Sequence, residues 1–299
     1  MTSGFKNEDV KLDKLFSVKD LTAVVTGGGT GIGEVLPESP LASNGAKVYI
    51  TGRRKEALDK VVDLYSGPGK IIAVPGDITD KTAVQQIASQ LGQQEPNGIH
   101  LLVNNAGIAR DDETKFSAVG EPDFTSAQSI SDHFMKSDPE NWQETFQTNL
   151  TAQFFTTMAF LPLLGKARDA TPKYSPSVVN ITSISGVMKG SSGGQFAYAT
   201  SKAGFIHMTR MLANTLAKAK IRVNSIAPGL FPSEMTTGES GDDQKSQIDK
   251  KLTNPAGRPG SDQDMAACIL FLAGPGGLFL NGQVIYPDGG NITVQPAAT

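Results

Sequence analysis

The sequence predicts a single α/β domain, a doubly wound parallel sheet in a three-layer α/β/α arrangement. Three observations carry that prediction. Short β-branched runs alternate with amphipathic helical stretches along nearly the whole chain, and such alternation means βαβ units whose sheet is covered on both faces. The first run, "VVTGGGTGIG", leads into a glycine-rich turn and then a helix; this makes the arrangement Rossmann-type. No shift in composition and no repeat of solenoid period divides the 299 residues.

The elements follow in order. After a polar arm (1–17), "LTAVVTG" is the first strand and "AKVYITG" the second. "RKEALDKVVDLY" is a helix, "IIAVPGD" a strand, "DKTAVQQIASQL" a helix and "HLLVNNAG" a strand. A long polar insert, 108–138, precedes the helix "PENWQETFQTNLTAQFFTTMAFLPLL" and the strand "SVVNITS". The helix around "QFAYATSKAG", the strand "RVNSIAPG", the helix "DQDMAACILFLAG" and the strand "GQVIYPDGG" complete a domain spanning 18–293, with a tail at 294–299.

Composition narrows the function classes. A formal net charge of −3 without a dense Lys/Arg block argues against nucleic acid or an anionic membrane as partner. No apolar run is long enough to span a bilayer, and the opening "MTSGFKNEDVKLDKLFS" lacks a basic-then-apolar leader, so a cytoplasmic location is expected. The only cysteine, Cys268, lies in an apolar run and reads as a core thiol. His100, His133 and His207 show no ligand spacing, so no metal is expected. Trp142 reads as packing near the start of its helix.

The glycine turn has the spacing Gly27, Gly31, Gly33, a G-x-x-x-G-x-G pattern. Glycines let backbone approach a pyrophosphate closely, and the following helix offers unpaired N–H groups and a positive dipole end. At the end of the second strand, where a carboxylate would accept from a ribose 2′-hydroxyl, the chain has Gly52, Arg53 and Arg54. Two guanidiniums suit a 2′-phosphate and hence NADP(H) over NAD(H); the alternative is a pair of solvated arginines at a helix start.

Tyr198 and Lys202 stand four positions apart, so phenol and ammonium share one helix face. A surface lysine lying over a half-buried tyrosine has the same spacing. A functional reading needs a reaction that uses both groups.

These pieces, with "GDI" (76–78), "NNAG" (104–107), "TNL" (148–150), "NITSISG" (180–186), "YATSK" (198–202), "RVNSIAPG" (222–229) and "DGG" (288–290), come in an order that resembles the short-chain dehydrogenase/reductase family over roughly 18–293. Within it, "APGLFPSEMT" and "LAGPGGLFLNGQVIYPDGG" are most similar to rhamnolipid-pathway 3-oxoacyl-carrier-protein reductases. The resemblance implies that Tyr198 is the catalytic acid/base, Lys202 its activator, Ser183 the carbonyl-binding hydroxyl and Asn149 the fourth member. Ser183 is preferred to Ser185 because the family's serine stands three after the asparagine that is Asn180 here. Asn149, inside a predicted helix, would perturb it and anchor a water leading from the lysine to solvent; an ordinary interhelix hydrogen bond is the alternative. Gly27, Gly29, Thr30, Gly31, Ile32 and Gly33 would hold the pyrophosphate, Asp77 and Ile78 the adenine, and Asn105, Ala106 and Gly107 the adenosine ribose. Tyr198 and Lys202 would contact the cofactor as well, and Pro228, Gly229 and Phe231 would hold its nicotinamide end. The expected partners are a small carbonyl or alcohol substrate and further copies of the chain, as a homodimer or homotetramer.

The implied reaction interconverts a ketone and a secondary alcohol by hydride transfer from or to NADP(H). A free phenol, with a pKa of about 10, donates readily but is a poor base near neutrality. Lowering it by about three units takes about 4 kcal/mol, which a unit charge about 4 Å away at an effective dielectric of ~20 supplies. Lys202 is expected to do this. Two other readings keep the fold: a silent dinucleotide-binding regulator, and an enzyme of another reaction type such as a dehydratase, epimerase or imine reductase.

Two segments depart from the family pattern. Pro37 and Pro40 fall where the phosphate-binding helix should run unbroken, so the helix is expected to break near Leu36–Ser39 and restart in a short piece ending before Gly45. Insert 108–138 is longer than in most relatives and lies at the carboxyl ends of the strands, where a ligand crevice forms. It reads as a wall or lid of the substrate pocket, or as a solvated insertion. The loop between Ser183 and Tyr198 also reads as enlarged.

Overall fold

The computed structural model describes residues 10–29, 38–65, 67–232 and 254–296. In chain order the elements are α1 (Leu12–Leu15), β1 (Thr22–Thr26), α2 (Glu38–Ser43), β2 (Lys47–Thr51), α3 (Lys55–Leu64), β3 (Lys70–Ala73), α4 (Lys81–Gln94) and β4 (Leu101–Asn104). Then come α5 (Phe116–Val119), α6 (Ala127–Phe134), α7 (Pro139–Phe146), a π-turn (Gln147–Thr151), α8 (Ala152–Ala170) and β5 (Ser177–Ile181). The chain continues through α9 (Phe196–Leu216), β6 (Arg222–Ile226), α10 (Asp262–Ala273), β7 (Val284–Ile285) and α11 (Asn291–Val294).

All seven strands are parallel, in the order β3-β2-β1-β4-β5-β6-β7. The order reverses between β1 and β4, and at such a switch point the connections leave on opposite faces and open a crevice at the carboxyl ends of the strands. The central strands β1, β4, β5 and β6 are buried at every position because both faces are covered. Ala23 and Val25 of β1 pack with Leu41, Leu58 and Ile269 on one face, and Val24 packs with Leu91, Phe160 and Leu212 on the other. Fully burying each such side chain contributes about 1.5–3 kcal/mol.

Buried polar groups join the two layers above β4 and β5. Asn104 and Asn180 face each other in register, and the Asn104 amide donates to Asn180 Oδ1 and to Thr157 Oγ1, each at 2.9 Å. Asn180 donates in turn to Thr209 Oγ1 at 2.9 Å. These bonds tie α8 and α9 to the sheet directly below the crevice, while Asn104 Oδ1 is buried without a partner.

Around Pro40 the structure shows a short helix, Glu38–Ser43, ending before Gly45 as expected. Glu38 and Ser39, at the end of the expected break, are already helical. Leu36 and Pro37, the rest of that break, and Thr30, Gly31, Ile32 and Gly33 lie outside the described residues.

The first and last described stretches pack against the domain. The Phe16 ring lies 6.2 Å from that of Phe271, and Lys189 N–H donates to the Pro296 carbonyl at 2.8 Å. The insert carries two helices, α5 and α6, absent from the sequence reading. Phe116 forms their small core with the rings of Phe124, His133 and Phe134. Trp142 stacks on Phe146 and donates to Ser137 Oγ. Cys268 is half-buried against the core, and burial raises its thiol pKa. Among the described residues no helix is long and apolar enough to cross a membrane.

Candidate active site

The floor of the crevice is bare backbone. Gly27 follows β1 with φ +71°, and its N–H donates to the Thr51 carbonyl at 2.7 Å, tying the turn to the end of β2. A Cβ at Gly27 would stand 2.7 Å from Ala106 Cα, so both conformation and space require glycine there. Thr26 Oγ1 accepts from the N–H groups of Asn105 and Ala106 at 3.0 and 3.1 Å, and the Asn105 amide returns a bond to the Thr26 carbonyl at 2.9 Å. The end of β4 is thereby locked beside the turn. Arg53 and Arg54 are exposed immediately beyond β2, with Arg54 at the N-cap of α3. Asp77 closes a tight turn by accepting from Thr79 N–H and Oγ1, and Ile78 is buried beside Val84.

Asn149 lies within the π-turn, the distorted stretch expected of it. Its amide brackets the Ile108 peptide, accepting from the N–H and donating to the carbonyl at 2.8 Å each, and also donates to Ser201 Oγ at 3.0 Å. It therefore makes the interhelix bond to α9 as well as distorting its own helix. The wider turn frees a carbonyl from the regular ladder, and Gln153, which the sequence reading missed, donates to Thr148 O and Ala106 O at 2.8 Å each.

Ser183 lies two residues beyond β5 and caps a 3₁₀ turn, Ile184–Gly186, accepting from Ser185 N–H at 3.1 Å. Ile184 N–H bonds the Pro228 carbonyl at 3.1 Å, so the ends of β5 and β6 are joined. Tyr198 stands in the first turn of α9, close enough to the Ser183 side chain for the serine to pull the phenol's pKa down. Ser185 instead pairs with Ser192 at 2.8 Å. Ser183 rather than Ser185 is thus the serine that acts on the phenol. Gly229 donates to the Pro287 carbonyl, and Phe231 is buried.

Lys202 is one turn along α9, with its ammonium 5.8 Å from the Tyr198 ring centre and donating to the Ile181 carbonyl at 3.0 Å. A Cβ at Gly107 would lie 3.3 Å from both Lys202 Nζ and Asn149 Oδ1; the two polar groups meet over a residue with no side chain. Burial lowers the Lys202 pKa to about 8. The phenol differs from the expectation. Burial raises the Tyr198 pKa, with the Ser183 side chain pulling the other way. At 5.8 Å from the ring centre, the lysine does not reverse the desolvation. In this structure Tyr198 is thus a protonated donor rather than a base poised near neutrality.

The sequence also gave no sign of Asp111, which stands in the acidic run "RDDE" of the insert. Its buried carboxylate accepts from the N–H groups of Ala197 and Tyr198 at 3.0 and 3.1 Å.

Comparison with known proteins gives the family. Residues 29–291 match the family model described as enoyl-(acyl carrier protein) reductase. The short-chain dehydrogenase/reductase PhomF of Diaporthe leptostromiformis is 40% identical over 95% of both chains. The rhamnolipids biosynthesis 3-oxoacyl-[acyl-carrier-protein] reductase of Pseudomonas aeruginosa is 35% identical, over 92% of this chain and 97% of its own. A solved structure, the Pseudomonas aeruginosa RhlG/NADP active-site complex, superposes with a TM-score of 0.76 at 30% identity, covering 92% of this chain and 98% of that one. With the seven-stranded sheet and the convergence of Asn149, Ser183, Tyr198 and Lys202, these matches mean that the chain belongs to the short-chain dehydrogenase/reductase family of oxidoreductases.

Proposed function

We propose that the protein is an NADP(H)-dependent reductase that interconverts a ketone and a secondary alcohol. The observation that carries this reading is the Lys202 ammonium over the Tyr198 ring and beside Asn149 above Gly107, with the Ser183 side chain close enough to shift the phenol. The crevice fits a dinucleotide: glycine backbone lies bare at the ends of β1 and β4, and two guanidiniums stand beyond β2. Gly27 and Gly29 with the turn that follows would hold the pyrophosphate, Asp77 and Ile78 the adenine, and Arg53 and Arg54 a 2′-phosphate. Asn105, Ala106, Gly107 and Lys202 would hold the riboses, and Pro228, Gly229 and Phe231 the nicotinamide end. The solved relative described with NADP supports the same choice.

When bound, the cofactor supplies the hydride. The chain's own residues manage the oxygen and its proton. Ser183 and Tyr198 offer two hydroxyls to one carbonyl oxygen, which orients the ketone and stabilises negative charge as it develops. A phenol held above its ordinary pKa keeps its proton at Oη until an alkoxide forms, and an alkoxide is basic enough to take it. The phenolate left behind faces Lys202. One cation 5.8 Å from the ring centre at an effective dielectric of ~20 stabilises it by roughly 3 kcal/mol, somewhat less than the 4 Å separation assumed from sequence would give.

Following NADPH absorbance with a panel of ketones tests the reading. Tyr198→Phe should abolish turnover while NADPH affinity stays nearly intact, because the ring still packs and only the proton is lost. A Phe variant that reduces ketones at a comparable rate would remove Tyr198 as the acid.

A further inference from the structure

The phenol can act only if the first turn of α9 is held in register, and the residues next to it in sequence do little to hold it. Gln195, at the N-cap, makes no side-chain cap bond. The loop before it runs through Ser192, Gly193 and Gly194, all at positive φ, a conformationally permissive stretch. The first N–H groups of a helix need partners from elsewhere. Here they find one 86 residues away in sequence, the Asp111 carboxylate, which bonds Ala197 N–H with Oδ1 and Tyr198 N–H with Oδ2.

Asp111 is itself fixed. It is only 3% exposed, and its carbonyl accepts from the N–H groups of Thr114 and Lys115 at 3.1 and 2.8 Å. Two further bonds dock the insert on the same loop: Phe116 N–H to the Gly193 carbonyl at 2.7 Å and Thr114 Oγ1 to the Gly194 carbonyl at 2.8 Å. A Cβ on Gly194 would lie 2.2 Å from the Thr114 carbonyl oxygen, so the approach leaves no slack. Three residues before Asp111, Ile108 is bracketed by the Asn149 amide. The stretch from Ile108 to Asp111 therefore spans the site, from Asn149 at one end to Tyr198 at the other.

We propose that Asp111 is a positioning residue for the reaction, its carboxylate gripping the first turn of α9 so that the Tyr198 phenol meets Ser183. The insert is then a fixed brace of the catalytic helix. An isolated cap would stabilise the helix and leave the phenol alone; this one bonds the backbone of the catalytic residue itself. The role rests on the carbonyl-reductase reading.

The test is steady-state kinetics on Asp111→Ala and Asp111→Asn with NADPH titrated separately by fluorescence. Asp111→Ala should lose about tenfold or more in kcat, since small misplacement of a reacting group is costly, with ketone KM and NADPH affinity held within about twofold. Asp111→Asn keeps an acceptor oxygen and should regain much of the loss, remaining about two- to fivefold below wild type because one N–H is left facing an amide donor. A folded Asp111→Ala with wild-type kcat and only a lower melting temperature would overturn the proposal. Should that variant fail to fold, Asp111→Asn decides: reduced kcat at unchanged KM supports the role, and wild-type kcat overturns it. If wild type reduces no ketone in the panel, the functional reading falls separately. Positioning is then judged from the carbon-13 ring signal of Tyr198, identified with Tyr198→Phe. A displaced signal in Asp111→Asn supports the proposal, and an unmoved one overturns it.

Discussion

Lys202 is the residue whose energetics and function conflict most. Its ammonium is buried with one carbonyl partner, Ile181 O, and its pKa falls from 10.5 to about 8. The sign follows from proton binding. Below pH 8 the folded protein must hold a cation that the unfolded chain hydrates, so the group is destabilising there; between 8 and 10.5 the cost fades. Lys202→Met should therefore stabilise the apoprotein at pH 7 by about 1–3 kcal/mol, the upper figure reduced by the orphaned carbonyl, and the gain should shrink as pH rises towards 10.5. Urea unfolding at pH 7 and pH 10 measures both; a less stable variant at pH 7 would contradict the argument. Turnover should be lost in the same variant. Arg53 and Arg54 make the second residue-scale prediction. Wild type should prefer NADPH, and replacing both with Ala should cost about 1.5–3 kcal/mol of that preference, roughly one to two decades. Equal use of both cofactors by wild type would sink it.

At the scale of elements, the π-turn between α7 and α8 depends on Gln153. Its amide serves two carbonyls, Thr148 O from the turn and Ala106 O from the strand end. Gln153→Met keeps the volume and removes both donors. The variant should lose about 1–3 kcal/mol of stability, and kcat should fall because Asn149 is no longer held over Gly107. Equal urea midpoints and equal rates would show that the turn holds itself. Sequence reading saw one long helix here with an unusual Asn in it. It could not see Gln153, since a glutamine in a helix carries no signal until the partner carbonyl is known. The insert is similar. Its polar composition concealed two short helices whose core is the Phe116 ring and its neighbours.

For the whole molecule, assembly is the open expectation. The two long helices expose large apolar side chains, Phe154 at 39% and Met211 at 57%, which a second copy of the chain would cover. Light scattering at working concentration should give two or four times the monomer mass; a monomer would contradict the expectation. The sheet itself was readable throughout. Each strand from β1 to β7 coincides with a run the sequence marked, with β3 starting one residue earlier at Lys70, because strands covered on both faces are rich in apolar side chains.

What the sequence determined by itself was therefore the alternation, the glycine turn and the identities of the groups that meet at the site. These are local matters: periodicity, backbone freedom and residue chemistry are carried within a few positions. Tertiary structure decided which groups become partners. The choice of Ser183 over Ser185 rests on which serine acts on the phenol and which is engaged by Ser192 across the β5–α9 loop. The direction of the Tyr198 shift rests on burial, which the estimate from spacing and charge did not include. Asp111 reaches α9 only because the parallel sheet brings the end of β4 beside the start of a helix 86 residues on. Desolvation and long-range hydrogen bonds depend on what surrounds a group in three dimensions, and no window of sequence contains that.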